Sequence, residues 1–201
     1  MSDSRSKLLL GAIDLLRTRG VGATSVRELA KHTGAPLGST YHYFPEGKVQ
    51  LVTEVVDLAG EHVSQTLAKV LNQYGTLGGI ESFLKHWKKV LQASDFQAGC
   101  PVIAIAVESQ SGAEFTPTLN SASSALTRWS ELLADSLQAH GVSQSAARPL
   151  ATAVLCALEG AILTCRIQRS TEALDQAGQV MLALLGNTIA ECKRLSRPQG
   201  E

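Results

Sequence analysis

Apolar side chains recur three and four positions apart along almost the whole chain, and no stretch alternates with period two over the length of a strand. The short run Val102-Ile103-Ala104-Ile105-Ala106-Val107 is continuously apolar instead. The pattern predicts an all-α protein of about nine helices. The first sets Leu9, Ala12, Ile13 and Leu16 on one face and stops at Gly20, just after Arg17 and Arg19, cations suited to a helix C-terminus. The second opens on the capping box Ser25-Val26-Arg27-Glu28, buries Val26, Leu29 and Ala30, and ends at Gly34. The third has Pro36 in its first turn, where the missing N–H costs nothing, and runs through Tyr41-His42-Tyr43-Phe44 to a stop at Pro45. From Glu46 a long fourth helix carries Val49, Val52, Val56, Val63, Leu67 and Leu71 along one side and fades at Tyr74-Gly75. Further helices are predicted at about 77–93, 99–110, 115–140, 143–168 and 171–196, punctuated by Gly78-Gly79, Ser94-Asp95, Ser111-Gly112, Pro117 and Gly141. Only the tail 196–201 reads as frayed.

The first three helices, with the tight turn Thr33-Gly34-Ala35 between the second and third, have the proportions of a helix-turn-helix unit. Ala30 is small enough to let the two helices cross closely, and Gly34 supplies the left-handed residue the turn requires. On the third helix Gly38, Ser39, Tyr41, His42 and Tyr43 are small or hydrogen-bonding, while Leu37, Thr40 and Phe44 recur at 3–4 spacing and are expected to anchor it inward. Four consecutive positions, 41–44, cannot all face a core, so the aromatic run is read as surface chemistry with Phe44 as its core member. Short side chains let a helix backbone sink into a major groove, and Tyr and His reach phosphates. Lys48 places a cation beside the opening amides of the next helix, a setting suited to a phosphate oxygen. Ser25 and Arg27 flank the groove from the second helix, and the Arg27 fork matches a guanine edge.

Charge adds direction to this picture. The chain of 201 residues holds 18 Lys+Arg and 18 Asp+Glu, yet residues 1–50 carry seven basic side chains against four acidic ones, leaving the remainder mildly acidic. A basic N-terminal segment suits a polyanion. With 44% hydrophobic residues, the chain is long enough to bury a sizeable core without staples. Cys100, Cys156, Cys165 and Cys192 lie far apart and read as buried thiols of a cytosolic protein. Cys100 beside Pro101 reads as a packed apolar residue rather than a redox sensor, since no neighbouring base favours its thiolate. His32 reads as a solvated helix residue, and His62, His86 and His140 share no ligand spacing, so neither a metal nor a cofactor is expected. No G-x-S-x-G, G-x-G-x-x-G, P-loop or H-E-x-x-H occurs, and no catalytic residue is assigned. The N-terminus lacks a secretory pattern, and Pro149 to Cys165, containing Glu159, reads as a buried helix rather than a membrane span, so the expected compartment is cytoplasmic, with no membrane partner.

The stretch Thr24-Ser25-Val26-Arg27-Glu28-Leu29-Ala30, then Gly34, then Gly38-Ser39-Thr40-Tyr41-His42-Tyr43-Phe44-Pro45 and Lys48, resembles the DNA-binding segment of TetR/AcrR-family transcriptional regulators over residues 8–56. Gly99-Cys100-Pro101-Val102 and the glycine of Pro45-Glu46-Gly47-Lys48 resemble the LmrA/YxaF-like subgroup, whose members repress multidrug-efflux or related genes. The resemblance implies that Arg27, Leu37, Gly38, Ser39, Tyr41, His42, Tyr43 and Lys48 fall on positions that touch a double-stranded DNA operator. It also implies a homodimer. Two departures stand out: the segment from Phe44 to Lys48 is one residue longer than the commonest spacing, and Pro36 and Leu37 replace more polar residues.

The domains expected are 1–47 for DNA binding and 48–201 for ligand binding and dimerisation. On the helix at 143–168, Ala153, Ala157, Gly160 and Thr164 form a small-residue stripe beside Leu150, Val154, Leu158, Ala161 and Ile162. The last helix offers Leu174, Gly178, Met181, Leu185 and Ile189, and the pair is expected to build a two-fold four-helix interface. Of nine aromatics, Phe83, Trp87, Phe96, Phe115 and Trp129 are expected to mark a cavity for a small apolar or aromatic effector, with Glu108, Asn120 and Arg128 as candidate orienting groups. The function expected is a repressor released from a pseudo-palindromic operator when ligand swings the recognition helices out of register. The alternatives are a helical small-molecule-binding or interaction dimer without DNA binding, and an all-helical enzyme.

Overall fold

A computed structural model describes residues 3–108 and 113–195; the punctuation at Ser111-Gly112 and the tail 196–201 lie outside the described residues. The described residues hold eight α-helices, one short 3₁₀ turn and no strand. They are α1 (Asp3–Arg19), α2 (Val26–Thr33), α3 (Leu37–Tyr43), α4 (Lys48–Ala93), α5 (Pro101–Glu108), α6 (Thr116–Gln138), α7 (Gln144–Gln168) and α8 (Glu172–Leu195). The 46-residue α4 is two helices in one, because Gly75 at φ 70, ψ −177 leaves the helical region and splits it into arms 48–74 and 76–93. That break makes nine straight segments, at the place where the periodicity fades. Gly78 and Gly79, expected to punctuate, lie inside the second arm, with Gly79 packed close against Leu71. The apolar run from Val102 lies on α5.

The chain forms two compact units, 1–62 with 97–126 and 63–96 with 127–201. The division falls within α4 and α6, so each helix contributes residues to both units. In the first unit α1 packs on α2 and α5, and α2 packs on α3. Its core is Leu15, Leu16, Leu29, Phe44, Leu51 and Ile105, all buried essentially completely. The backbone N–H of Gly99 donates to the Arg17 carbonyl at 2.9 Å, tying the end of α1 to the segment entering α5.

The second unit buries Ile80, Leu91, Trp129, Leu137, Ile162 and Leu174, and α7 packs on α8. The indole Nε1–H of Trp129 donates to the Ser64 hydroxyl at 3.1 Å, satisfying the one polar atom of a buried ring. α7 is long and apolar enough to cross a membrane by length and composition, with mean hydropathy 1.7 over its best window, only 39% of it buried. The helix expected to be buried is therefore covered along one face only within its protomer. Val154, Leu158, Ile162 and Cys165 face the unit's own core, while Thr152, Ala153, Cys156 and Gly160 are exposed.

The same burial corrects part of the expected dimer surface. Val154, Ala161 and Leu185 are 1%, 6% and 0% exposed inside their own protomer and have no surface left for a partner. Ala153 and Gly160 are exposed, and Ala157, Thr164 and Met181 are half-buried. On α8 the stripe Leu174, Leu185 and Ile189 packs inward, and Gly178 is close-packed against Leu84. The large apolar residues that α8 turns outward are Val180, Leu184 and, at its end, Leu195. Cys100 and Cys165 are buried, Cys192 is half-buried and Cys156 is exposed, so only two of the four thiols are fully interior. Burial pushes the Cys165 thiol up from its usual range, aided by the nearby Asp175 carboxylate and opposed by backbone hydrogen bonds at Leu174 and Ala173.

Candidate nucleic-acid interface

The interface is built from the turn between α2 and α3. Ser25 is the N-cap of α2 in extended conformation, and its hydroxyl accepts from the Glu28 amide at 3.2 Å. Val26, Leu29 and Ala30 are buried, as the capping box and spacing predict. Gly34 closes the helix at φ 68, ψ 15, and the Ala35 amide bonds the Ala30 carbonyl at 3.0 Å in a tight C-terminal cap. Nothing lies within 4 Å of a Cβ built on Gly34. Gly34→Ala is therefore expected to cost about 1 kcal/mol through backbone conformation alone, read as a lower urea midpoint at unchanged m-value.

α3 is held by two buried side chains, Thr40 and Phe44. The Thr40 hydroxyl donates to the Pro36 carbonyl at 3.0 Å, which satisfies a polar group inside the core. Pro36 is the N-cap rather than a first-turn residue. Leu37, expected to anchor inward, is 41% exposed, because Thr40 and Phe44 alone take the covered side of a seven-residue helix. The outward surface is thus Leu37, Gly38, Ser39, Tyr41 and His42, with Tyr41 46% exposed. Tyr43 is half-buried and meets the His42 ring edge-on at 5.8 Å. Arg27 is exposed on α2, and Lys48 is the half-buried first residue of α4.

A network that the sequence pattern did not reveal fixes the far end of α3. The Gln50 amide group accepts from the Glu46 N–H at 3.1 Å and donates to the Tyr43 carbonyl at 3.4 Å and to Glu54 Oε1 at 3.0 Å. Glu54 is in turn ion-paired with Arg5 of α1, and that guanidinium lies 5.7 Å from the centre of the Phe44 ring. Arg5, Gln50 and Glu54 therefore lock the recognition helix to its neighbours through partners 49 residues apart in sequence. Elsewhere in the unit Asp14 pairs with Arg17 at 3.0 Å and lies 3.3 Å from His32, so His32 is partnered rather than simply solvated.

The expected effector aromatics are not gathered into one site. Phe83 and Trp129 line a cavity of about 20 Å³ in the second unit, together with Val63, Leu67, Ile80, Leu133, Leu155 and Leu158. Phe83 meets the Trp87 ring edge-on at 6.3 Å, but Trp87 and Phe96 do not line the cavity, and Phe115 belongs to the first unit. Asn120 and Arg128 are exposed and do not orient anything inside; the Glu108 side chain lies outside the described residues. The wall is wholly apolar and mostly aliphatic, so aromatic residues mark only two of its members. At this volume the cavity holds about one water-sized body, far below the few hundred Å³ of a drug-sized pocket. No group of three or more His, Cys, Asp or Glu side chains suited to a metal occurs among the described residues.

Comparison with known proteins places this geometry. Residues 8–55 match the model of bacterial regulatory proteins of the tetR family, and residues 76–180 match the C-terminal domain of LmrA/YxaF-like transcriptional regulators. An uncharacterized HTH-type transcriptional regulator of Mycobacterium tuberculosis is 36% identical over 98% of this chain and all of its own length. The HTH-type transcriptional regulator LmrA of Bacillus subtilis is 32% identical over 80% of this chain and 85% of its own. The fold matches the crystal structure of the regulatory protein TetR from Rhodobacter sphaeroides with a TM-score of 0.79 at 20% identity, over 90% of this chain and 98% of that one. The chain belongs to the TetR family of bacterial transcriptional regulators, with a C-terminal domain of the LmrA/YxaF-like type, and its role is that of a DNA-binding regulator rather than an enzyme.

Proposed function

We propose that the protein is a cytoplasmic, ligand-responsive repressor. In this reading residues 1–47 bind DNA and residues 48–201 dimerise and take up effector. The observation that carries the DNA contact is the outer face of α3: Leu37, Gly38, Ser39, Tyr41 and His42 are all exposed while Thr40 and Phe44 hold the helix down. Arg27, Tyr43, Ser25 and Lys48 complete the surface, as phosphate or base-edge contacts.

Support for dimerisation comes from α7 and α8. The outward residues Ala153, Cys156 and Gly160 on α7, and Val180 and Leu184 on α8, form apolar faces that their own protomer leaves in water. A two-fold pairing across them sets two α3 helices on successive major grooves of a pseudo-palindromic operator. The apolar wall around Phe83 and Trp129 favours a small apolar or aromatic effector, and its small volume requires the surrounding helices to separate when ligand enters. Ligand then selects a conformer with the recognition helices out of register, and by linkage operator DNA weakens ligand binding by the same factor, about 5–150-fold.

The test is selection of bound fragments from the source genome by the purified protein. Recovery of a two-fold site supports the reading; no enrichment by a folded dimer free of ligand overturns it. On the recovered site, log affinity falls steeply with log salt, and Lys48→Ala lowers that slope by about one per protomer. An unchanged slope removes Lys48 from the phosphate contacts.

A further inference from the structure

In the first turn of α3 the polar side chains are already committed. The Pro36 carbonyl accepts from the Thr40 amide at 3.1 Å, the Ser39 hydroxyl at 2.8 Å and the Thr40 hydroxyl at 3.0 Å. Both hydroxyl protons of this turn are therefore spent on the helix's own backbone. Leu37 is exposed, and Gly38 beside it has nothing within 4 Å of where a Cβ would sit, so the leucine is not screened by its neighbour. Tyr41, four residues on, shares its face and adds ring carbons to that surface while keeping its hydroxyl for a polar contact. The Leu37 side chain thus brings carbon, with no hydrogen-bonding atom of its own, to whatever it meets.

We propose that Leu37 is a specificity-determining residue that reads the C5-methyl group of a thymine; this rests on the DNA-binding reading above. In the major groove adenine, guanine and cytosine each present a donor or acceptor at their edge, whereas thymine alone adds a methyl group. Leucine has no atom to pair with the first three, so packing against them strips water from a polar edge and replaces it with nothing. Against thymine, the same side chain buries methyl against methyl. The operator therefore carries a thymine in each half-site at the base facing Leu37.

The experiment replaces each operator thymine by deoxyuridine, which removes only the methyl, and measures affinity at fixed salt by fluorescence anisotropy. For the parent protein, one position per half-site loses about fourfold, the value of one buried methyl-sized group, and replacing both loses about fifteenfold. Leu37→Ala abolishes the penalty at that position and leaves other thymines as before, while Leu37→Met, which keeps the hydrocarbon reach, retains it. Circular dichroism and the urea midpoint check that the variants, changed at an exposed site, remain folded. Tight operator binding with no uridine-sensitive position, or a sensitivity that Leu37→Ala leaves intact, overturns the proposal while sparing the DNA-binding reading. Failure of the parent to bind any duplex overturns both.

Discussion

Phe44→Ala is expected to lower the stability of the first unit by about 3–5 kcal/mol, a large fraction of the total stability of a domain this size. The ring has no exposed surface, so truncation leaves a cavity in a unit whose core also buries Leu15, Leu16, Leu29 and Leu51. It also removes the aromatic face beneath the Arg5 guanidinium. The backbone around Phe44 multiplies the effect: its N–H bonds the Thr40 carbonyl at 3.1 Å, and its carbonyl accepts from the Gly47 amide at 3.0 Å. Loss of the ring thus frees the junction that ends α3 and starts α4. Urea unfolding followed by circular dichroism measures it. A shift below 1 kcal/mol contradicts the assignment of Phe44 as the anchor of the recognition helix.

The pair Val180→Glu and Leu184→Glu is expected to convert the protein to a monomer and to weaken operator binding by two to four orders of magnitude. Both residues are exposed on one face of α8, at 60% and 41%, so in an isolated protomer the charges stay in water and stability changes by no more than about 0.5 kcal/mol. In a dimer built across that face, four carboxylates would be buried together, which no packing there can offset. The DNA effect is larger than any single contact because two linked recognition helices bind with an effective concentration that a monomer lacks. Sedimentation at micromolar concentration reads the first result, and the operator isotherm the second. A doubly substituted protein that stays dimeric places the interface elsewhere.

Helix positions were legible because period 3.6 and explicit punctuation coincide here. The Ser25 capping box and the Gly34 cap both appear where their residue types require them, and Gly75 breaks α4 where the apolar side fades. Orientation was less legible, for a physical reason. α7 and α8 each carry apolar residues on two faces, and periodicity does not say which face packs within the protomer, so spacing puts Val154, Ala161 and Leu185 outward where the fold buries them. The same kind of spacing predicts Leu37 inward, but a helix of seven residues covers too little surface to bury a third anchor. The Arg5–Glu54–Gln50 network and the aliphatic cavity wall were invisible because they join residues far apart in sequence, with no motif to mark them. The outer face of α3 was readable because small and hydrogen-bonding residues clustered where a core helix would have carried hydrocarbon.

That the outer face of α3 reads DNA is tested most directly by the affinity of Tyr41→Ala/His42→Ala for the selected operator. Both side chains are exposed, so the unfolding free energy from urea titration is expected to stay within about 0.5 kcal/mol of the parent. Each contributes about one hydrogen bond per half-site, and the loss over a two-fold site exceeds a hundredfold in affinity. A folded double variant that binds its operator as tightly as the parent would contradict the account.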